Sequence, residues 1–134
     1  MIFEVVSSNY KKRKFLESLL PSFIRQLQLS SSKKSVIVTL QEDCDDAGIT
    51  TEIRGIGYFV IINSKMSVIQ TALTLAHEMV HVYQMAKGIL KTSRTGKKVW
   101  AGKTFSAKTK YLDQPWEVQA YSRQELILRR ALEE

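Results

Sequence analysis

One stretch, Ser67 to Gly88, constrains this chain more than any other: Ile69, Leu73, Ala76, Val80 and Tyr83 repeat there at helical spacing, and the helix they define is apolar over most of its circumference. A helix of that kind has to be buried, so the remaining chain must wrap it. Ser67-Val-Ile-Gln70 has the form of a capping box at its start, and Gly88 supplies a stop at its end. Inside it lies His77-Glu78-Met79-Val80-His81, which holds the only two histidines of the sequence. Leaving these three titratable groups buried and unpaired would cost about 1 to 3 kcal/mol each. A metal ion removes that cost. Residues four apart share a helix face, so both imidazoles can reach one ion while Glu78 projects beside them toward water.

Composition then restricts the donors. Cys44 is the only cysteine, so neither an internal disulfide nor a CxxC zinc ribbon can form, and any metal must be held by His and carboxylates. A catalytic zinc takes three protein ligands and keeps a fourth position open. The carboxylates downstream of the helix are Asp113, Glu117, Glu125, Glu133 and Glu134. Glu117 falls on one stripe of the last expected helix with Ala120, Tyr121, Gln124 and Leu128, an acid on a face otherwise expected to be buried, and is the preferred third ligand.

Around this centre the sequence predicts a short strand over Ile2 to Val6 and a first helix over 10 to 29, kinked or split at Pro21. Two β-branched segments follow, Ser35 to Leu40 and a single longer one, Thr51 to Asn63; they are expected to pair as neighbours across an acidic loop. Val99 to Phe105 reads as a small hairpin turning at Ala101-Gly102. Asp113-Gln-Pro-Trp opens the last helix, with Trp116, Val118, Tyr121 and Leu128 packing on the core. The expected fold is α+β: a small antiparallel or mixed sheet on one side of the central helix and the C-terminal helix on the other.

At 134 residues, 44% hydrophobic and 25% charged, the chain reads as one domain over 1–134, able to bury a core without disulfides. Its longest uncharged apolar run, Gly55 to Asn63, is far short of the roughly 20 residues that span a bilayer, so no membrane partner is expected. Glu4 lies in the apolar start and the basic cluster Lys11 to Lys14 comes after it, the reverse of a secretory signal, which makes a cytoplasmic location the expectation. Glu42, Asp43, Asp45 and Asp46 lack the alternation, mid-loop Gly and terminal Glu of an EF-hand and read as a polar loop.

The strand Gly57-Tyr-Phe-Val-Ile-Ile62, the stretch Leu75-Ala-His-Glu-Met-Val-His-Val-Tyr-Gln84 and Pro115-Trp-Glu-Val-Gln-Ala120 together resemble the gluzincin metallopeptidases, and most nearly their minimal and SprT-like members. The resemblance runs from about Gly55 to Tyr121. It implies a zincin-like metallopeptidase domain that hydrolyses peptide bonds in a peptide or protein substrate, with Zn2+ on His77, His81 and Glu117 and with Glu78 as catalytic base. It also gives Gly55 to Ile61 the role of a sheet edge that pairs with extended substrate. Tyr111 or Tyr121 is a candidate phenol for the developing oxyanion. Thermolysin-like gluzincins carry an Asp four residues after the ligand Glu, which here is Tyr121, so the partner of His77 is unassigned.

A second function class comes from charge. The net charge is +7, and the stretch from His81 to Leu112 carries Lys87, Lys91, Arg94, Lys97, Lys98, Lys103, Lys108 and Lys110 without one acid. Such a field attracts DNA or an acidic protein surface. Trp100, Phe105 and Tyr111 are interleaved with it, as in base-stacking surfaces. The alternative is therefore a nucleic-acid-binding protein on a zincin-like scaffold with a structural or vestigial metal, or a protease acting on DNA-bound protein.

Overall fold

In the computed structural model, which describes residues 1–134, four strands form one sheet: β1 (Ile2–Val6), β2 (Ser35–Gln41), β3 (Gly48–Ile53) and β4 (Gly57–Asn63). Their order is β1-β2-β4-β3; β1, β2 and β4 run parallel, and β3 returns antiparallel to β4. Alternation along the strands turns Val36, Val38, Val60 and Ile62 into a fully buried face. Helices α1 (Tyr10–Gln26) and α2 (Val68–Ala86) lie on that face, and α3 (Pro115–Leu132) packs on these two helices. No element covers the other one. Three short strands, β5 (Leu90–Thr92), β6 (Lys98–Trp100) and β7 (Lys103–Phe105), form a second, antiparallel sheet between α2 and α3. The architecture is α+β with three helices and two sheets, and none of the helices is long and apolar enough to cross a membrane.

Helix α2 forms where its cap and apolar spacing place it. The Ser67 side chain accepts from the Gln70 amide, and Leu75, Ala76, Met79, Val80 and Val82 are wholly buried. It contacts β3, β4, α1 and α3. The hairpin also follows its turn residues. Ala101 and Gly102 have φ of 49° and 85°, the pair of left-handed conformations that a two-residue hairpin turn requires.

Four expectations are corrected. Helix α1 runs unbroken through Pro21, because Leu16, Leu19, Leu20, Phe23 and Ile24 on both sides of it are clamped in the core, and that burial outweighs one lost amide donor. Thr51 to Asn63 is not one strand but parts of two, folded back on each other at Arg54 to Ile56, with Gly55 at φ 80° in the turn. Consequently Gly55 to Ile61 is no sheet edge: β4 sits between β2 and β3, and β3 is the edge. Gly57 serves instead a close approach of backbones, since a Cβ there would stand 1.9 Å from the Ser35 carbonyl oxygen. In α3, Val118 and Tyr121 are about half exposed, whereas Ala120, Ile127, Leu128 and Ala131 join the core. Trp116 is buried outside that core, its ring set edge-on to Phe105 of β7 at 5.5 Å.

Candidate metal centre

Helix α2 presents His77 and His81 to α3 and Glu78 to β3. The imidazole Nε2 atoms of His77 and His81 converge on one carboxylate oxygen, Oε1 of Glu117, at 2.8 and 3.2 Å. Both histidines are 6% exposed, so the convergence takes place largely out of water. His77, Glu78 and His81 also offer donor atoms that lie within 4.8 Å of one another, a buried group able to hold a metal ion. These side chains open on a cleft of about 560 Å³ bounded by β3, the start of the hairpin and α3.

The other nitrogen of each ring is already engaged. Nδ1 of His81 donates to Oε1 of Gln84 at 2.9 Å, and Nδ1 of His77 is hydrogen-bonded to the side-chain amide of Gln124 at 2.7 Å. The Gln84 amide cannot be turned around, because its Nε2 donates to the Trp116 carbonyl at 3.0 Å and to Oε1 of Gln119 at 2.9 Å. With Nδ1 of His81 holding the proton, Nε2 of its neutral ring points a lone pair at the Glu117 carboxylate oxygen. Two acceptors at that separation need a proton or a cation between them. Two imidazoles and a carboxylate are the donor set of known catalytic zinc sites, so the residues present fit that ion.

With a proton in place of that ion, the imidazole nitrogen donates to Glu117 and the charges shift accordingly. Burial pushes the Glu117 carboxyl up, but hydrogen bonds from His77, His81 and Tyr111 outweigh it and hold the group well below the usual carboxylate range. For His81 burial pulls the imidazolium down, while the Glu117 hydrogen bond and the charges of Glu78 and Glu117 together raise it. Glu78 stands apart: burial raises its proton affinity, and the opposing pull of His81, Thr50 and His77 does not cancel that. Its Oε1 accepts from the Thr50 hydroxyl of β3 at 2.8 Å. Gly48, two residues earlier on β3, leaves room for this carboxylate, since a Cβ there would lie 3.1 Å from Glu78 Oε2.

Of the carboxylates the sequence offers as third ligand, only Glu117 reaches the histidines. Asp113 ends a 3₁₀ turn over Tyr111–Asp113 and is exposed, Glu125 and Glu133 are exposed, and Glu134 pairs with Arg25. The Tyr111 hydroxyl donates to Glu117 Oε1 at 2.9 Å and lies 3.3 Å from the Tyr121 hydroxyl. Thr50, Gln84 and Gln124 escape sequence reasoning, although a Gln three residues after His81 in an apolar helix was a readable signal. Thr50 gave none, since its strand was read as starting one residue later. No protein-family model, curated protein or solved structure matches this chain.

Proposed function

We propose that the chain is a zinc-dependent metallopeptidase of gluzincin type, with a zincin-like fold, in which His77, His81 and Glu117 hold the metal and Glu78 is the general base. The observation that carries this reading is the convergence of two imidazole Nε2 atoms, that of His81 fixed in its tautomer by Gln84, on one Glu117 oxygen, with a second, differently poised carboxylate beside them. Zinc at this point would supply Lewis acidity to a substrate carbonyl and to water. Glu78 takes the proton of the attacking water; its burial lets it retain that proton until the leaving amine accepts it. Thr50 keeps its carboxylate turned to the cleft. The Tyr111 and Tyr121 hydroxyls, both on the cleft wall beside Glu117, are the donors available to the oxyanion. The edge role falls to β3, whose Gly48 and Thr50 border Glu78, so an extended peptide adds to β3.

Metal content measured beside hydrolysis of an unfolded protein such as casein tests the proposal. About one zinc per chain is expected. His77→Ala and Glu117→Ala should lose it, and Glu78→Gln should keep it while hydrolysis disappears. Full zinc in Glu117→Ala, or hydrolysis persisting in Glu78→Gln, would sink the assignment.

A second reading, a protease held on DNA or a DNA-binding protein, is favoured by the exposed Lys91, Arg94, Lys97, Lys103 and Lys108 along the second sheet and its loops. Two of the three interleaved aromatic rings have other employment, Phe105 against Trp116 and Tyr111 on Glu117. Binding would then rest on phosphate contacts, should fall steeply with salt, and should lose slope when Lys97 and Lys103 are neutralised. No binding to duplex DNA at low salt removes this reading.

A further inference from the structure

The cleft over the histidines does not end at Glu78. A second cavity of about 350 Å³ continues it along β3, and the two share Thr50, Met85, Leu90 and Lys98. One wall of the continuation is Thr50 to Glu52 of β3, and the other is Leu90 to Thr92 of β5. Each of these strands is the edge of its sheet, so two unpaired rows of backbone amides and carbonyls border the same groove. An extended chain is the shape that suits such edges.

Charge narrows the choice of chain. Register puts Lys98 on the same face of the second sheet as Leu90 and Phe105, the face that turns Leu90 into the core side and Phe105 onto Trp116. Lys98 is thereby half-buried where the two cavities meet. Its ammonium donates to Thr92 Oγ1 at 3.3 Å, and no carboxylate pairs with it. An ammonium has three donors, so two are left for a ligand. Lys91 adds a second cation to this wall, while the acid across from it, Glu52, is paired with Lys34 at 3.7 Å. In the centre itself, Glu78 is bonded to Thr50, and Glu117 to both histidines and Tyr111. Asp46 lines the far end of the cleft, close to Lys65 and to Lys12, which bonds the Ser64 and Met66 carbonyls, so that end has no single sign.

Granted the peptidase proposed above, we infer that Lys98 selects its substrate: the groove takes an extended peptide bearing an aspartate or glutamate on the hairpin side of the cleaved bond, its carboxylate on the Lys98 ammonium above the apolar floor of Met85 and Leu90. Thr50 touches Glu78 and also borders the second cavity, so at about 3.4 Å per residue the acid lies within about three residues of that bond.

The test uses zinc-loaded protein and fluorescent peptides of one apolar sequence in which a single Glu, Gln or Lys is walked through the positions on both sides of the cleaved bond. Values of kcat/KM are read beside peptide binding to Glu78→Gln by anisotropy. Glu should exceed Gln by about three- to tenfold, the value of an ion pair partly withdrawn from water, on one side of the bond only, and Lys should rank last. Lys98→Glu should reverse the order of Glu and Lys with zinc content retained. Should that variant fail to fold, Lys98→Met should make the Glu and Gln peptides equal. Equal treatment of Glu and Gln by the wild type, a preference on both sides, or one that survives loss of Lys98 overturns the inference. So does an oligothymidylate that binds the groove where no peptide does. Peptides bound with the Glu preference but left intact would remove the peptidase reading and uphold the groove's selectivity. Cleavage without preference would do the reverse, and peptides neither bound nor cleaved would overturn both.

Discussion

At the scale of single residues, the candidate centre is defined less by its donor side chains than by the groups that aim them. Gln84 is wholly buried and makes three hydrogen bonds at once, to His81, to the Trp116 carbonyl and to Gln119. It thereby ties His81 of α2 to the first turn of α3. Partners of this kind affect metal affinity by about 10 to 100-fold, and Gln84→Leu should weaken zinc binding by that amount in a chelator competition titration. Unchanged affinity would mean that His81 needs no such anchor. The sequence made His77, Glu78, His81 and Glu117 legible because each is a charged or titratable exception to an apolar stripe. Gln124 was not legible, since an amide on a helix facing a cleft looks like any solvated residue until its partner is known.

At the scale of elements, β3 is the part that periodicity could not reveal. Its residues Gly48–Ile53 are mostly exposed and unremarkable in composition, and only pairing with β4 makes them a strand. A hairpin with left-handed Gly55 in its turn was therefore read as one long strand. This strand nonetheless sets Glu78, the proposed base, in place. Adding a methyl group at Gly48 would bring a Cβ to 2.9 Å from Thr74 Cγ2 and 3.0 Å from Glu78 Cγ. Gly48→Ala should consequently lower hydrolysis about tenfold or more by displacing the base, with zinc content unchanged. Loss of zinc in this variant, or full activity, would contradict the arrangement. Helices α2 and α3 were read correctly because caps, Pro115 and apolar spacing are all local signals. Their mutual packing was expected only from the need for a third ligand.

At the scale of the whole molecule, the buried charges couple stability to pH. In zinc-free protein the raised His81 group stabilises the fold below its ordinary pKa and loses that contribution as pH rises through the raised value. Raised Glu78 acts in the same direction, destabilising the fold as pH climbs past the usual carboxylate range. Lowered Glu117 acts oppositely, stabilising above that range and failing as pH falls. Maximal stability of the zinc-free chain is thus expected between about pH 4.5 and 6.5, the window bounded by ordinary carboxylate and imidazole values. Zinc should invert the upper slope, because its histidine ligands must be unprotonated. A zinc-free melting temperature that rises from about pH 6 to 8 would refute this coupling. The separation of Glu117 from the histidines has one more consequence, in time and not in space. Synthesis delivers the N-terminal part of a chain first, so α2 emerges with both imidazoles well before α3 brings the third donor. Ribosome-arrested chains should capture zinc only at lengths that expose α3, so that the centre proposed here to be hydrolytic would be incomplete while the nascent polypeptide is still unfolded.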